Sequence, residues 1–188
     1  MGGHANGAVA SSFVVASVHR LFLTKTGSPL EALRDAMVLS GNDLFFENRN
    51  STQKMGTTLT ALHISDAIYY AHIGDCRIYY SSDDRRVLTN DHNLRESGRP
   101  NGSSMLTRCL GFDLGVNPDV GRVNPAREFS ILMCTDGFYN AVTNEEIFSA
   151  LENGNPQALA TLKELVGERE PNDNYTAIFI RGDIMWER

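Results

Sequence analysis

The sequence predicts an α+β layered sandwich. Two helical segments open the chain, several short strand-like segments fill its middle, and further helices with one more strand close it. That order segregates helices from strands, where a βαβ series would alternate them. The middle strands also carry bulk on both faces, Ile68 and Tyr70 on one and Tyr69 and Ile73 on the other. A sheet apolar on both faces has to be covered on both, and a second sheet with flanking helices supplies the cover.

The elements follow in order. Residues 1–7 are too glycine-rich for regular structure, whereas Ala8 to Leu23 is small and apolar and reads as a helix with Val9, Phe13 and Ala16 on its packed face. Ser28-Pro29-Leu30-Glu31 places a Ser N-cap, a Pro at N1 and a Glu at N3, and the apolar period of Leu30, Leu33, Met37 and Leu44 carries this second helix to about Asn48. Thr57 to Ile64, Ala67 to Ile73 and Cys76 to Tyr80 are rich in β-branched and aromatic residues. With Ser65-Asp66 and Gly74-Asp75 as turn pairs, they read as a β-meander. Val87 starts a short strand, Arg95 to Ser104 is loop by composition, and Met105 to Leu110 reads as a short helix ended by Gly111. Glu128 to Cys134 is a buried strand. Thr143-Asn144-Glu145-Glu146 is a second capping box, its helix turning Ile147 and Leu151 inward and ending at Gly154. Asn155-Pro156 starts another helix, and Tyr175 to Arg181 is the last strand.

Composition narrows the function. At 188 residues a single domain, 1–188, is the expectation, and 41% hydrophobic with 21% charged residues describes a soluble globular protein. A net charge of -6 argues against nucleic-acid or anionic-membrane surfaces, which favour basic patches. Cys76, Cys109 and Cys134 are odd in number and form no C-x-x-C pair, so neither a disulfide framework nor a structural zinc site is indicated, and a reducing cytoplasm is the expected location. No run approaches the ~20 apolar residues of a membrane span.

Three aspartates stand at strand ends. Asp75 lies in a turn between strands, Asp136 follows the buried strand in Thr135-Asp136-Gly137, and Asp173 precedes the last strand. If the last two strands are antiparallel neighbours, the exit of one lies beside the entrance of the other, and Asp136 meets Asp173 there. Carboxylates gathered in that way repel unless a cation lies between them, and hard oxygen ligands suit Mg2+ or Mn2+. Each aspartate alone is equally an ordinary turn residue, so the pattern leaves both readings open.

Several stretches resemble the metal-dependent serine/threonine protein phosphatases of the 2C type, the PPM family, in its bacterial style. They are MGTTLTAL (Met55 to Leu62), HIGDCRIY (His72 to Tyr79, with Cys76 where the family usually has Ser), LTNDHNL (Leu88 to Leu94), LTRCLG (Leu106 to Gly111), LMCTDG (Leu132 to Gly137) and DNYT (Asp173 to Thr176). The resemblance implies a four-layer α/β/β/α sandwich of two antiparallel sheets, with Mg2+ or Mn2+ at one end. It implies that Asp136 and Asp173 ligate a core metal and carry the catalysis, and that Asp75 reaches a third, weaker metal. The implied reaction is attack of a metal-activated water on the phosphorus of phosphoserine or phosphothreonine in protein substrates, opposing a protein kinase, with no covalent enzyme intermediate. On this reading the cysteines are packing residues, and His63, His72 and His92 are structural.

The chain departs from the family pattern in two places. The family's first metal motif is an Asp-Gly pair just ahead of a stretch like Met1-Gly2-Gly3-His4, and its Asp bridges both core metals. Its absence here implies a domain truncated at its N-terminus with half a metal site. The alternative it raises is a catalytically inactive phosphatase-like interaction module. The second departure is a shortened flap at about residues 93–105, where Arg95 and Arg99 are either solvated loop charges or contacts for a substrate phosphate.

Overall fold

The computed structural model describes residues 6–49, 51–95, 105–125, 127–169 and 173–183. The Met1 to His4 stretch, most of the flap including Arg99, and Pro171-Asn172 lie outside them. In chain order the elements are α1 (Gly7–Thr24), α2 (Pro29–Arg49), β1 (Leu59–Ile64), β2 (Ile68–Ile73), β3 (Arg77–Ser81), β4 (Arg85–Val87), β5 (Asp119–Val123), β6 (Glu128–Cys134), α3 (Asp136–Tyr139), α4 (Asn144–Asn153), α5 (Pro156–Glu168) and β7 (Ala177–Asp183). They form two antiparallel sheets flanked by helices, and the chain divides into two compact units, residues 1–75 with 91–123 and residues 76–90 with 124–188.

The first unit carries the sheet β1-β2-β5 and the helices α1 and α2. Strand β2 is central, pairing Ile64↔Ile68 with β1 and His72↔Asp119 with β5. Its pleat sends Tyr69, Ala71 and Ile73 into a cluster with Ala10, Val14 and Val18 of α1 and Leu33, Met37 and Leu44 of α2. On the opposite face Ile68 and His72 are also fully buried, as the two-sided pattern required. Each large apolar side chain buried in this way contributes roughly 1.5–3 kcal/mol.

The packed face of α1 only partly matches the expected one: Phe13 packs on the core as read, but Val9 and Ala16 do not. Ala10, Val14, Ser17 and Val18 are inward, while Val9 is 56% exposed and Ala16 is exposed. The segment is apolar nearly all round, so its own periodicity cannot select the face; contact with α2 does. Its length and composition would also suffice to cross a membrane, although here its inner side is core.

Three further expectations change. The meander does not close: β2 and β3 are consecutive but lie in different sheets, and Gly74-Asp75 carries the chain across. Gly74 adopts φ +113°, and a Cβ there would fall 2.2 Å from Thr58 Cγ2, so no other residue fits the crossover. Met105 to Leu110 is extended rather than helical, because Leu110 exchanges both backbone hydrogen bonds with Thr57 and Thr107 N–H donates to His92 C=O. The strand expected from Val87 onward ends there instead, at Arg85–Val87. Strand β5, DVGRV, carried no recognisable signal; it is half polar, and its centre, Gly121, lies opposite Tyr70.

The second unit carries the sheet β4-β3-β6-β7 with α3, α4 and α5. Leu132 and Cys134 of β6 and Tyr79 of β3 pack on Ile147, Phe148 and Leu151 of α4 and on Leu162 and Val166 of α5. Helix α4 begins in the expected capping box, with Thr143 and Glu146 bonding reciprocally, and ends at Gly154. Helix α5 begins with the Asn155 side chain accepting from Ala158 N–H.

Candidate metal centre

Strand β6 is buried between β3 and β7, so its direction and register are fixed from both sides. The β6–β7 ladder runs to Cys134↔Ala177 and is then extended by one residue. Thr135 N–H donates to Thr176 C=O at 3.1 Å, and Thr176 N–H donates to Thr135 Oγ1 at 3.0 Å. The exit of β6 and the entrance to β7 are thereby tied together, as antiparallel neighbours require.

Beyond Thr135 the chain folds into α3, where a simple turn was expected. Phe138 and Tyr139 anchor this helical turn in the core, at 2% and 9% exposure, and the Arg77 guanidinium covers the Tyr139 ring at 3.8 Å. Asp136, first in α3, is half-buried. Gly137 is where the two strand ends touch: a Cβ on it would lie 2.5 Å from Asn174 O and 3.3 Å from Asp173 O. The backbones carrying Asp136 and Asp173 are therefore in direct contact.

Among the described residues both carboxylates engage only their own local backbone. Asp136 Oδ1 accepts from Gly137 N–H at 2.9 Å, and Asp173 Oδ1 accepts from Asn174 N–H at 2.7 Å. Among the described residues neither forms an ion pair with Lys or Arg. Two carboxylates on touching strand ends, without a Lys or Arg counter-ion among the described residues, are hard oxygen donors that fit Mg2+ or Mn2+. They are a partial set, since no group of three or more His, Cys, Asp or Glu side chains gathers among the described residues.

Asp75 belongs to the first unit, at its boundary, and is buried at 8% exposure. Gly74, the residue preceding it, is gripped by His92: the His92 main-chain N–H donates to Gly74 C=O at 2.7 Å, and Gly74 N–H donates to the ring Nδ1 of His92 at 3.1 Å. Arg95 is exposed at the start of the flap. Sequence reasoning missed Thr135 and Gly137 as the residues that join the strand ends, although a Thr between a buried strand and Asp-Gly is one available cue to an extended ladder. It also missed the partners of His92, for which no local signal exists.

Comparison with known proteins adds an independent line. No family model matches the chain. Serine/threonine protein phosphatase PstP of Mycobacterium tuberculosis is 32% identical over 170 residues, covering 81% of this chain and 33% of that protein. A putative protein phosphatase 2C-type of Streptococcus pyogenes is 29% identical over 171 residues, covering 80% of this chain and 69% of that protein. The solved catalytic domain of PstP, in complex with two manganese ions, superposes with a TM-score of 0.81 at 27% identity over 97% of this chain and 85% of that one. In sequence and in fold the chain is similar to the bacterial protein phosphatases of the 2C type. It spans about a third of the length of the mycobacterial relative. Its two antiparallel sheets flanked by helices are the architecture of that solved phosphatase.

Proposed function

We propose that this chain hydrolyses phosphoserine and phosphothreonine in proteins, using divalent Mg2+ or Mn2+. The observation that carries the reading is the contact between the strand ends that carry Asp136 and Asp173, two carboxylates that among the described residues have no Lys or Arg counter-ion. Asp136 and Asp173 would hold a core metal, and Asp75 a weaker one. When bound, such ions neutralise phosphate oxygens and make water a competent nucleophile near neutral pH, worth several kcal/mol in the transition state.

The protein's own part is placement. The buried strand β6 fixes where Asp136 starts, the Thr135–Thr176 pair sets the spacing to Asp173, and the anchored Phe138 and Tyr139 stop α3 from turning away. The phosphatase relatives support a catalytic chain over a non-catalytic interaction module. The reading extends to a cytoplasmic signalling enzyme that opposes a protein kinase, in keeping with three free cysteines and an acidic balance that offers nothing to anionic surfaces.

The test is hydrolysis of a phosphothreonine peptide with Mn2+ present. Activity is expected to require the metal and to fall on the order of a thousandfold in Asp136→Asn, the loss that about 4 kcal/mol produces. Full activity in that variant, or in excess chelator, overturns the reading.

A further inference from the structure

His92 is a buried imidazole, 3% exposed, that the proposed chemistry does not use. Its surroundings are nevertheless fully specified. Gly74 N–H points at Nδ1, and a nitrogen that accepts a hydrogen bond carries no proton. The proton is therefore on Nε2, which donates to Asp119 Oδ2 at 3.0 Å. Asp119 is held in turn by Arg108, whose Nη1 lies 2.7 Å from Oδ1 and whose Nη2 lies 3.4 Å from Oδ2; Nη1 also reaches Asn117 C=O at 3.2 Å. Behind the ring, His72 packs with its centroid 4.8 Å away and places its own Nδ1 2.9 Å from Thr60 Oγ1.

The chain Arg108–Asp119–His92–Gly74 thus runs from the surface to the N–H of the residue that precedes Asp75. Four separate segments meet in it: the Met105–Leu110 stretch, β5, the loop after β4 and the β2–β3 crossover. Burial keeps the His92 ring neutral by holding its proton affinity below the ordinary imidazole range, against the opposing pull of the Asp119 carboxylate. Burial alone would raise the Asp119 carboxyl, but its bonds to Arg108 and His92 outweigh that and hold it below the usual carboxylate range.

A carboxylate bound for a cation has to be held against the pull of its neighbours, and a ligand's supporting residues set its aim. Gly74 at φ +113° has no side chain with which to anchor the crossover. Its N–H is taken by the His92 ring and its C=O by the His92 main-chain N–H, so one residue holds both peptide units that flank the Gly74 Cα.

We infer that His92 is a positioning residue for Asp75: as its Nε2–H tautomer, oriented by Asp119 and Arg108, its ring accepts from Gly74 N–H while its main-chain N–H holds Gly74 C=O, and fixing the backbone on both sides of the Gly74 Cα aims the Asp75 carboxylate for metal binding. The inference rests on the proposed role of Asp75 as a ligand to the weaker metal, and its test separates the two.

The first measurement uses the unaltered, metal-free protein. Nitrogen-15 spectra of the histidine rings should show His92 protonated at Nε2 and bare at Nδ1 at neutral pH; the reverse tautomer or an imidazolium overturns the clamp. Two variants follow. In His92→Asn the side-chain oxygen can occupy the place of Nδ1 and still accept from Gly74, whereas His92→Phe fills the space and accepts nothing. Amide exchange at Gly74 is expected to quicken by roughly tenfold or more in His92→Phe and to stay within about threefold of the parent in His92→Asn, as loss of a buried acceptor dictates. The Mn2+ concentration for half-maximal phosphatase activity should rise about fivefold or more in His92→Phe, matching Asp75→Asn, and recover in His92→Asn, while the rate at saturating Mn2+ changes by less than about threefold. Faster exchange with unchanged Mn2+ dependence would make the clamp merely structural and overturn the positioning role. A parent protein without Mn2+-dependent activity would remove the functional reading, while the tautomer and exchange results would still decide the clamp. Should His92→Phe fail to fold, the tautomer and the His92→Asn comparison remain decisive.

Discussion

The corner carrying Asp136 and Asp173 and the crossover carrying Asp75 place carboxylates by opposite means. At the corner the work is done by backbone: a strand register, one added ladder residue and a glycine pressed against the opposing chain, with both aspartates half-buried or exposed. At the crossover it is done by side chains, through a buried imidazole, a carboxylate and a guanidinium drawn from distant segments. Backbone placement tolerates changes in the surrounding side chains but not an added atom at the contact. Side-chain placement should show the reverse sensitivity, with cost set by unsatisfied polar groups.

The largest effect is expected where the backbone contact is tightest. In Gly137→Ala the new Cβ would meet Asn174 O at 2.5 Å, against a backbone atom that cannot rotate aside. Overpacking of that kind costs about 1–3 kcal/mol in stability. The strand ends must part, and a displacement of about 1 Å at a catalytic site can lower kcat/KM about a hundredfold. Alanine is the better helix former, so α3 itself has no cause to object. Steady-state kinetics with thermal unfolding would check this, and wild-type kcat/KM in Gly137→Ala would show that the contact does not set the site.

The crossover should respond to Asp119→Ala, which leaves the His92 Nε2–H without its acceptor inside the fold. A buried donor stranded in this way costs about 1–3 kcal/mol. Urea unfolding should show it as a lower midpoint at unchanged slope. Asp173→Asn, an exposed change, should stay within about 0.5 kcal/mol of the parent in the same experiment. Equal destabilisation by the two would erase the distinction between the regions.

The same distinction explains what was legible in the sequence. Capping residues at Ser28, Thr143 and Asn155 act within one turn of where they stand, and the helices they open begin where expected. The meeting of Asp136 with Asp173 followed from one assumption, that β6 and β7 are antiparallel neighbours, and the ladder Glu128↔Asp183 to Cys134↔Ala177 satisfies it. Where the deciding partner is remote, the sequence was silent or misleading. Gly74-Asp75 looked like a hairpin turn because nothing local shows that β3 will pair with β6 instead of β2. Met105 to Leu110 looked helical because its backbone partners, Thr57 and His92, lie far away in sequence. Asp119 lay in no motif, Arg108 stood in LTRCLG with no role read for it, and their link to His92 exists only in three dimensions.

The smallest effect concerns a third kind of bracing, a surface ion pair behind the corner. Arg169, just past α5, bonds both Glu146 oxygens at 2.7 and 2.9 Å and also reaches the Ala141 carbonyl, two residues beyond α3. Its hydrogen bonds, with that from the Thr143 N–H, lower the Glu146 carboxyl to about 2 from the ordinary 4.5. A folded-state pKa depressed in this way means that the unfolded chain takes up the proton first as pH falls. The stabilisation is present in full above about 4.5 and is lost as pH drops towards about 2. Because the pair is solvent-exposed, most of its attraction is screened, and Glu146→Gln should lower Tm near pH 7 by only about 1–3 °C. That gap should hold from pH 7 down to 5, narrow below about 4.5, close near 2 and shrink in high salt. A gap that persists unchanged at pH 2 would assign the loss to the α4 capping box, which Gln can partly keep, and would leave the ion pair no share in bracing the corner.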